Sequence, residues 1–318
     1  MDNIKKIIEK SFNIAIVSHI DEDSDAFGSS LALFSALKEQ GKKVTYYIEK
    51  PIEKRLSFLS DEYTMYKDEE KNKEFDLLIC LDCGDEKRLA NRYELFNNSK
   101  KTICIDHHYT NKGYADYNWI DGDMSSTSEM VYDLLCYMNI NITKKIAEFL
   151  YCGIMGDTGC LKYSCATPDT VKKVSELMRY GIDHATLCRN LFDIEPLEVI
   201  LLKGFIINNL ESHYDNLVTL SWVDEKILNK FGVSEKDTGD IVNIARSVKG
   251  TQIAVYIKKN KEKTKISLRS NGVYNVAEIA EKLGGGGHKM AAGITLGDVS
   301  IDEAKKMILE KIKEVING

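Results

Sequence analysis

The sequence predicts an α/β protein: an N-terminal, mostly parallel sheet with flanking helices, a helical linker, and a smaller α/β C-terminal domain. Three observations predict it. Short apolar runs alternate with helical patterns from the start. Those runs are continuous, as in strands buried on both faces. The length of 318 residues also exceeds the roughly 100–200 of one domain. Residues 1–11 read as an amphipathic charged segment, and residues 13–19 (N-I-A-I-V-S-H) as a strand. Residues 27–40 repeat apolar positions at helical spacing and stop at Gly41. Strands follow at 43–48, 75–82 and 101–106, after which residues 127–180 turn mainly helical. Two helical stretches around Pro196, within residues 181–212, resemble a connector. Beyond it, residues 217–222, 251–257 and 264–269 predict strands, and 236–248, 276–283 and 300–316 predict helices. The expected division is 1–185, 186–212 and 213–318.

Charge is distributed unevenly. Residues 1–190 hold 25 basic and 31 acidic side chains and residues 191–318 hold 18 of each, so the net charge of −6 belongs to the N-terminal part. This excludes a uniformly basic protein that coats duplex nucleic acid through phosphate contacts. With 43% hydrophobic residues, 29% charged and three prolines, the chain is neither disordered nor collagenous. No apolar run reaches the ~18 residues of a membrane span, and the first residues lack a signal peptide's apolar stretch. A cytoplasmic location is therefore expected. The eight cysteines are dispersed, which favours buried reduced thiols over a disulfide framework. Cys80 and Cys83 form a C-x-x-C, but no second pair follows at zinc-site spacing.

Four segments place carboxylates and histidines at or after apolar runs: S-H-I-D-E-D-S-D (18–25), L-D-C-G-D (81–85), I-D-H-H (105–108) and G-I-M-G-D-T-G (153–159). The carboxyl ends of parallel strands face one crevice, so topology aims three of these motifs at one place. Each segment alone has a plainer reading. Asp21, Glu22, Asp23 and Asp25 suit a helix cap, His107 or His108 a satisfied strand end, and Asp157 a turn. Their joint occurrence favours metal. Several carboxylates in a poorly solvated cleft repel one another unless cations neutralise them. Asp with a few His suits borderline or hard divalent ions such as Mn²⁺. Six or so ligands exceed one four-coordinate site. Two ions sharing a carboxylate, roughly 3.5–4 Å apart, is an arrangement used to hydrolyse phosphoesters.

These residues resemble the DHH phosphoesterase family, named for the motif found here as Asp106-His107-His108. The family pattern H-x-x-P-D-x-D-A-x-G-S is matched from His19 to Ser29, except that Glu22 stands where proline is usual. A changed loop with an intact site is expected there. The family's D-T-G matches Asp157-Thr158-Gly159, and its strand-end aspartate matches Asp82. Gly284-Gly285-Gly286-Gly287-His288 with Met290-Ala291-Ala292-Gly293 resembles the signature of the DHH-associated substrate domain. The two-domain layout and the T-P-D-T stretch at Thr167 look most like the nano-RNase and 3′-phosphoadenosine 5′-phosphate (pAp) phosphatase branch.

The resemblance implies two divalent metal ions, Mn²⁺ in the first instance. His19, Asp23 and Asp82 would hold one; Asp25, Asp82, His107 and Asp157 would hold the other, with Asp82 the bridge. His108 would face substrate as a phosphate contact or proton donor, making it and Asp82 the catalytic pair, and Asp106 would orient it from behind. Arg269 and Ser270, at a strand end, with Gly285, Gly286, Gly287 and His288, would bind substrate. Glycines let amide N–H groups approach a phosphate, although a bare glycine run equally suits a flexible loop. Arg246 is a weaker candidate for the same role.

The expected reaction is hydrolysis of short oligoribonucleotides to mononucleotides, of pAp to AMP and phosphate, or of both. One alternative is a phosphodiesterase for cyclic di-AMP or pApA; another, from a different class, is a non-catalytic nucleotide sensor, which would have lost ligands. The expected partners are short RNA oligonucleotides or nucleotide bisphosphates, with cyclic di-AMP in the alternative, and a second copy of the chain in a homodimer. Long duplex nucleic acid and membranes are not expected. Lys258, Lys259, Lys261, Lys263 and Lys265 read as a solvated hairpin rather than a nucleic-acid groove.

Overall fold

In the computed structural model, which describes residues 1–60 and 62–316, the chain opens with helix α1 (Asp2–Lys10), strand β1 (Asn13–Val17), α2 (Ser24–Glu39) and β2 (Lys43–Ile48). Asn317 and Gly318, which close the range expected for the C-terminal domain, lie outside the described residues. Next come β3 (Thr64–Met65), β4 (Leu77–Leu81), α3 (Tyr93–Asn97), β5 (Thr102–Asp106) and β6 (Tyr117–Ile120). Four helices follow: α4 (Thr127–Tyr137), α5 (Lys144–Asp157), α6 (Pro168–Met178) and α7 (His184–Cys188). The strands form one parallel sheet in the order β3-β2-β1-β4-β5-β6. The chain therefore steps outward from β1 through β2 and β3, returns to the other side of β1 as β4, and steps outward again. The segments leaving β1 and β4 diverge at their carboxyl ends and open a crevice, the position where open α/β sheets bind ligands.

Continuous apolar strands bury both faces. On one, Ile14, Ile16, Leu77, Ile79, Ile103 and Ile105 meet residues of α2, α4 and α5 such as Phe27, Leu31, Leu134 and Phe149. On the other, Ala15, Val17, Leu78, Cys80 and Cys104 meet Tyr66, Phe75, Leu89 and Phe96. That second face is closed by α3 and irregular segments instead of a full layer of long helices. Cys80, Cys83 and Cys104 are buried free thiols. Burial pushes Cys83 up to about 11 and Cys104 up to about 12, which makes them unreactive packing residues.

Contacts divide the chain into two units, Met1–Ile194 and Glu195–Gly318. Leu187 and Leu191 pack in the first unit's core. In the second unit, α8 (Leu197–Asn208) precedes β7 (Glu211–His213), β8 (Val218–Asp224), α9 (Glu225–Phe231) and α10 (Val242–Arg246). Strands β9 (Ile253–Lys259) and β10 (Thr264–Ser270), helix α11 (Val276–Glu281), strands β11 (Gly286–His288) and β12 (Ala291–Leu296), and helix α12 (Ile301–Ile316) complete it. The sheet order is β11-β12-β10-β9-β8-β7, mixed because β8 and β9 run parallel. One face packs on α11 and α12; part of the other packs on Val199, Leu202 and Ile206 of α8 and on Val242 and Ala245 of α10. The helix expected over 236–248 divides into a 3₁₀ run, Glu235–Ile241, followed by α10, Gly239 falling where α-helix propensity is lowest.

Candidate metal centre

The crevice at β1 and β4 collects the acidic and histidine motifs. His19 lies just beyond β1 and is almost fully buried. Asp23 caps α2, accepting from the amides of Asp25 and Ala26 at 3.0 and 3.1 Å, as a carboxylate at a helix N-terminus does. Asp25, in the first turn, is fully buried. Its two oxygens accept from the amides of Thr127 and Ser128 at 2.7 and 2.8 Å, so the start of α4 fixes this carboxylate. Gly153 of α5 makes that approach possible: a Cβ there would lie 1.9 Å from Ser128 Oγ and 2.9 Å from Asp25 Oδ1.

Asp82 follows β4 with φ of 53°, a left-handed conformation uncommon outside glycine. Its Oδ2 lies 3.6 Å from His19 Nε2 and its Oδ1 3.5 Å from His107 Nε2, while Thr127 Oγ1 donates to Oδ1 at 3.1 Å. His19 Nε2 is 3.7 Å from Asp23, and His107 Nε2 is 3.1 Å from Asp157, the last residue of α5. Nδ1 of His19 is 2.9 Å from the Ile20 carbonyl, and Nδ1 of His107 is 3.4 Å from that of Met124. Donation from Nδ1–H to those carbonyls aims each Nε2 at the carboxylates, where the neutral ring would offer its lone pair to a metal.

Three sets of donor atoms lie within 4.8 Å of one another: His19, Asp23 and Asp82; Asp25, His107 and Asp157; and Asp82, His107 and His108. All six expected ligands are thus brought together, Asp82 standing between the two outer sets. Asp106, fully buried at the end of β5, accepts from His108 Nδ1 at 2.7 Å and from Asn111 Nδ2 at 2.7 Å.

The electrostatics are those of a cation site. Burial pushes Asp25 up, and Asp82 and Asp157 push it further. Burial raises Asp157 to about 6 against the pull of His107. Burial opposes charge on His19 and His107, but their carboxylate neighbours outweigh it and raise both to about 10. The shifts at Asp25 and Asp157 show carboxylates crowded in a buried place, and positive charge on His19 and His107 opposes that crowding as a bound cation would. The donor set, carboxylate oxygens with imidazole Nε2 atoms, fits divalent ions of the Mn²⁺, Mg²⁺, Fe²⁺ and Zn²⁺ type.

Residues 13–154 match the DHH family, N-terminal domain, and residues 216–318 match the DHHA1 domain. A bifunctional oligoribonuclease and PAP phosphatase from Thermus thermophilus is 33% identical over 95% of this chain and 89% of its own. The chain belongs to the DHH family. A crystal structure of an exopolyphosphatase-related protein from Bacteroides fragilis superposes with a TM-score of 0.93 at 29% identity, covering 98% of this chain and 95% of that one. A cyclic-di-AMP phosphodiesterase from Listeria monocytogenes is 26% identical over 99% of this chain, which spans 49% of that protein. This DHH chain is accordingly an enzyme of the phosphoesterase class. Among the described residues, no helix is long and apolar enough to cross a membrane.

The second unit carries the other expected residues. Arg269 on β10 and His288 on β11 both pair with Ala291 of β12, so all three share one face of the sheet. Gly286–His288 form the edge strand β11, with Gly284 and Gly285 in the turn that leads into it. A Cβ at Gly285 would lie 2.3 Å from the Gly293 carbonyl, and one at Gly287, where φ is 148°, 2.5 Å from that of Ala291. These two glycines serve close strand packing, whereas Gly286 is open. Ser270 turns inward, donating to the Tyr274 carbonyl at 2.6 Å and accepting from the Gly272 amide at 3.0 Å. Arg246 ends α10. Lys258 and Lys265 pair with Glu235, Lys259 with Asp298 and Lys261 with Glu225.

Sequence reasoning missed Thr127, Ser128, Asn111, Arg88 and Arg92. The run Ser126-Thr127-Ser128-Glu129 was the available signal, an S-x-x-E pattern that starts a helix. Ser126 does cap α4, and Glu129, deeply buried, accepts from the Ser125 and Thr170 hydroxyls at 2.5 and 3.0 Å and from Lys173 at 2.9 Å. The T-P-D-T stretch begins α6 with a capping box between Thr167 and Thr170, and so braces α4.

Proposed function

We propose that this DHH protein hydrolyses short oligoribonucleotides to mononucleotides and pAp to AMP and phosphate, using two divalent metal ions, Mn²⁺ in the first instance. The observation that carries the two-metal reading is Asp82, whose two carboxylate oxygens face different histidines, His19 and His107, at 3.6 and 3.5 Å. His19, Asp23 and Asp82 would hold one ion, and Asp25, Asp82, His107 and Asp157 the other. Bound there, the metals would supply Lewis acidity that activates water and offsets charge developing on the phosphoryl oxygens.

The protein's own groups do the rest. The hydrogen bond that His108 Nδ1 makes to Asp106 raises the pKa of His108, burial opposing it. That bond favours the protonated imidazole and orients Nε2 outward, where its N–H would contact a phosphate or donate to the leaving oxygen. Asn111 holds the far oxygen of Asp106 and prevents its rotation. In the second unit, Arg269, Gly286 and His288 would grip a nucleotide phosphate, with Ala291 between the Arg269 and His288 side chains as a flat floor. In this reading residues 1–185 form the catalytic domain, 186–212 the linker and 213–318 the substrate-binding domain. The preference for nano-RNA and pAp is supported by the higher identity and near-complete coverage of the Thermus relative.

The decisive assay offers pAp, RNA dimers to pentamers, pApA and cyclic di-AMP to the protein with Mn²⁺. Fastest turnover of pAp and short RNA is expected, and fastest turnover of cyclic di-AMP would overturn the substrate assignment. Asp82→Asn should cost at least ~10³-fold in rate while leaving the circular dichroism spectrum intact. Activity within tenfold of wild type would overturn the shared-carboxylate reading.

A further inference from the structure

Glu22, the one departure from the DHH pattern in the first motif, is not a loop residue left in solvent. Its side chain is buried, and Oε1 accepts from Nη1 of Arg92, a fully buried arginine, at 3.0 Å. Arg92 also donates to the Tyr47 carbonyl at 3.1 Å and to the Leu89 carbonyl at 3.3 Å. The neighbouring Asn91 binds Glu49, just past β2, through its amide at 3.0 Å and its side chain at 2.7 Å. Ala90, between these anchors, holds φ of 51° and ψ of −131°, a conformation that persists in a non-glycine residue only when its surroundings over-determine it.

The same segment grips the loop after β1 at one further point, where the Arg88 carbonyl accepts from the Ile20 amide at 2.8 Å. Asp21 in the same loop takes φ of 61° and pairs with Lys50 at 2.8 Å; a proline at position 22 would push residue 21 toward an extended conformation. Glu22 therefore permits a different loop, and Arg92 makes Glu22 tolerable. A fifth carboxylate buried beside Asp23, Asp25, Asp82 and Asp157 would be costly unpaired.

We infer that Glu22 and Arg92 are a coupled pair of positioning residues, a clamp across the crevice that holds His19 and Asp23 against Asp82. The set formed by Asp25, His107 and Asp157, anchored on α4 and α5, does not depend on it. This rests on the two-metal reading above and adds which ion the clamp serves.

The test is Mn²⁺ uptake by the full-length protein, followed through the electron paramagnetic resonance of free Mn²⁺. The wild type should take up two ions; fewer would count against the two-metal reading, not against the clamp. Glu22→Met and Arg92→Met should each weaken uptake of one ion by roughly 10–100-fold and leave the other unchanged. Replacing both halves of a buried ion pair by apolar residues of similar volume removes the stranded charge. The double variant Glu22→Met/Arg92→Met should therefore return to within about threefold of wild type. If either single variant fails to fold by circular dichroism, Glu22→Gln, which keeps the shape and loses the charge, takes its place with the same expectation. Wild-type uptake in folded single variants, equal loss of both ions, or a double variant no better than the weaker single would each overturn the clamp.

Discussion

His19 and His107 have pKa values raised to about 10, so near pH 7 both imidazoles of the metal-free protein carry protons. A metal needs the neutral ring, and binding must expel them. Calorimetric titration with Mn²⁺ in buffers of different ionisation enthalpy should show roughly two protons released at pH 7, with affinity rising toward pH 10. The sign reverses for the metal-free fold. Because these pKa values lie above the unfolded 6.5, their stabilisation is complete below pH 6.5 and disappears as the pH rises through 10. At His108 the corresponding handle is Asp106. Asp106→Asn should lower the His108 pKa and move the alkaline limb of the pH–rate profile to lower pH, with a loss of about 10²–10⁴-fold if the proton is fully withdrawn. An unchanged limb would remove His108 from acid catalysis.

At the level of elements, α2, α4 and α5 meet around Asp25, and Gly153 is one of the points where they approach closely. Glycine to alanine in a helix ordinarily gains up to ~1 kcal/mol. Here the added methyl would meet Ser128 Oγ at 1.9 Å, and overpacking of that kind costs ~1–3 kcal/mol. Gly153→Ala should therefore lower the melting temperature and weaken the ion held by Asp25, His107 and Asp157; a raised melting temperature would show that α5 can yield. The elements legible in the sequence were those with their own signal. The strand at 43–48 matches β2 residue for residue, because apolar runs and the Gly41 stop are local. β3, with two residues, and β6, half-buried along its length, have no such signal and exist through the backbone of a neighbour. The stretch 284–288 could not be resolved between loop and phosphate cradle, since glycine is silent about what its missing Cβ avoids; the close approach of Gly285 and Gly287 to β12 is visible only in the fold. Topology aims the three motifs that hold His19, Asp23, Asp25, Asp82 and His107 at one crevice, whereas Asp157, at the end of α5, and the assignment of the set to two ions came from the family resemblance. Asn111, Thr127 and Arg92 were not legible, because their importance comes from what they touch across 5, 45 and 70 residues of chain.

Across the whole molecule, each unit has its own apolar core, and all six proposed ligands belong to the first. Scanning calorimetry with Mn²⁺ at ~100 times its dissociation constant should stabilise that unit by about 2.7 kcal/mol per ion, about 5 kcal/mol for two, and raise its transition by roughly 10–20 °C. The transition of Glu195–Gly318 should stay in place; equal shifts would mean the units melt as one. The donors also carry a schedule. Asp157 lies 138 residues after His19 in the chain, and β1 cannot have β4 beside it until the outward steps through β2 and β3 are complete. A nascent chain that has emerged only through β2 presents His19, Asp23 and Asp25 without Asp82, and one that has emerged through β5 still lacks Asp157. The set of His19, Asp23 and Asp82 is complete once β4 lies beside β1, whereas the set that includes Asp157 waits for α5 to dock, long after the first donors leave the ribosome. In the two-ion reading this sequence-distant arrangement would make filling of the second set a late event of biosynthesis, one that marks a finished N-terminal unit instead of helping to start it.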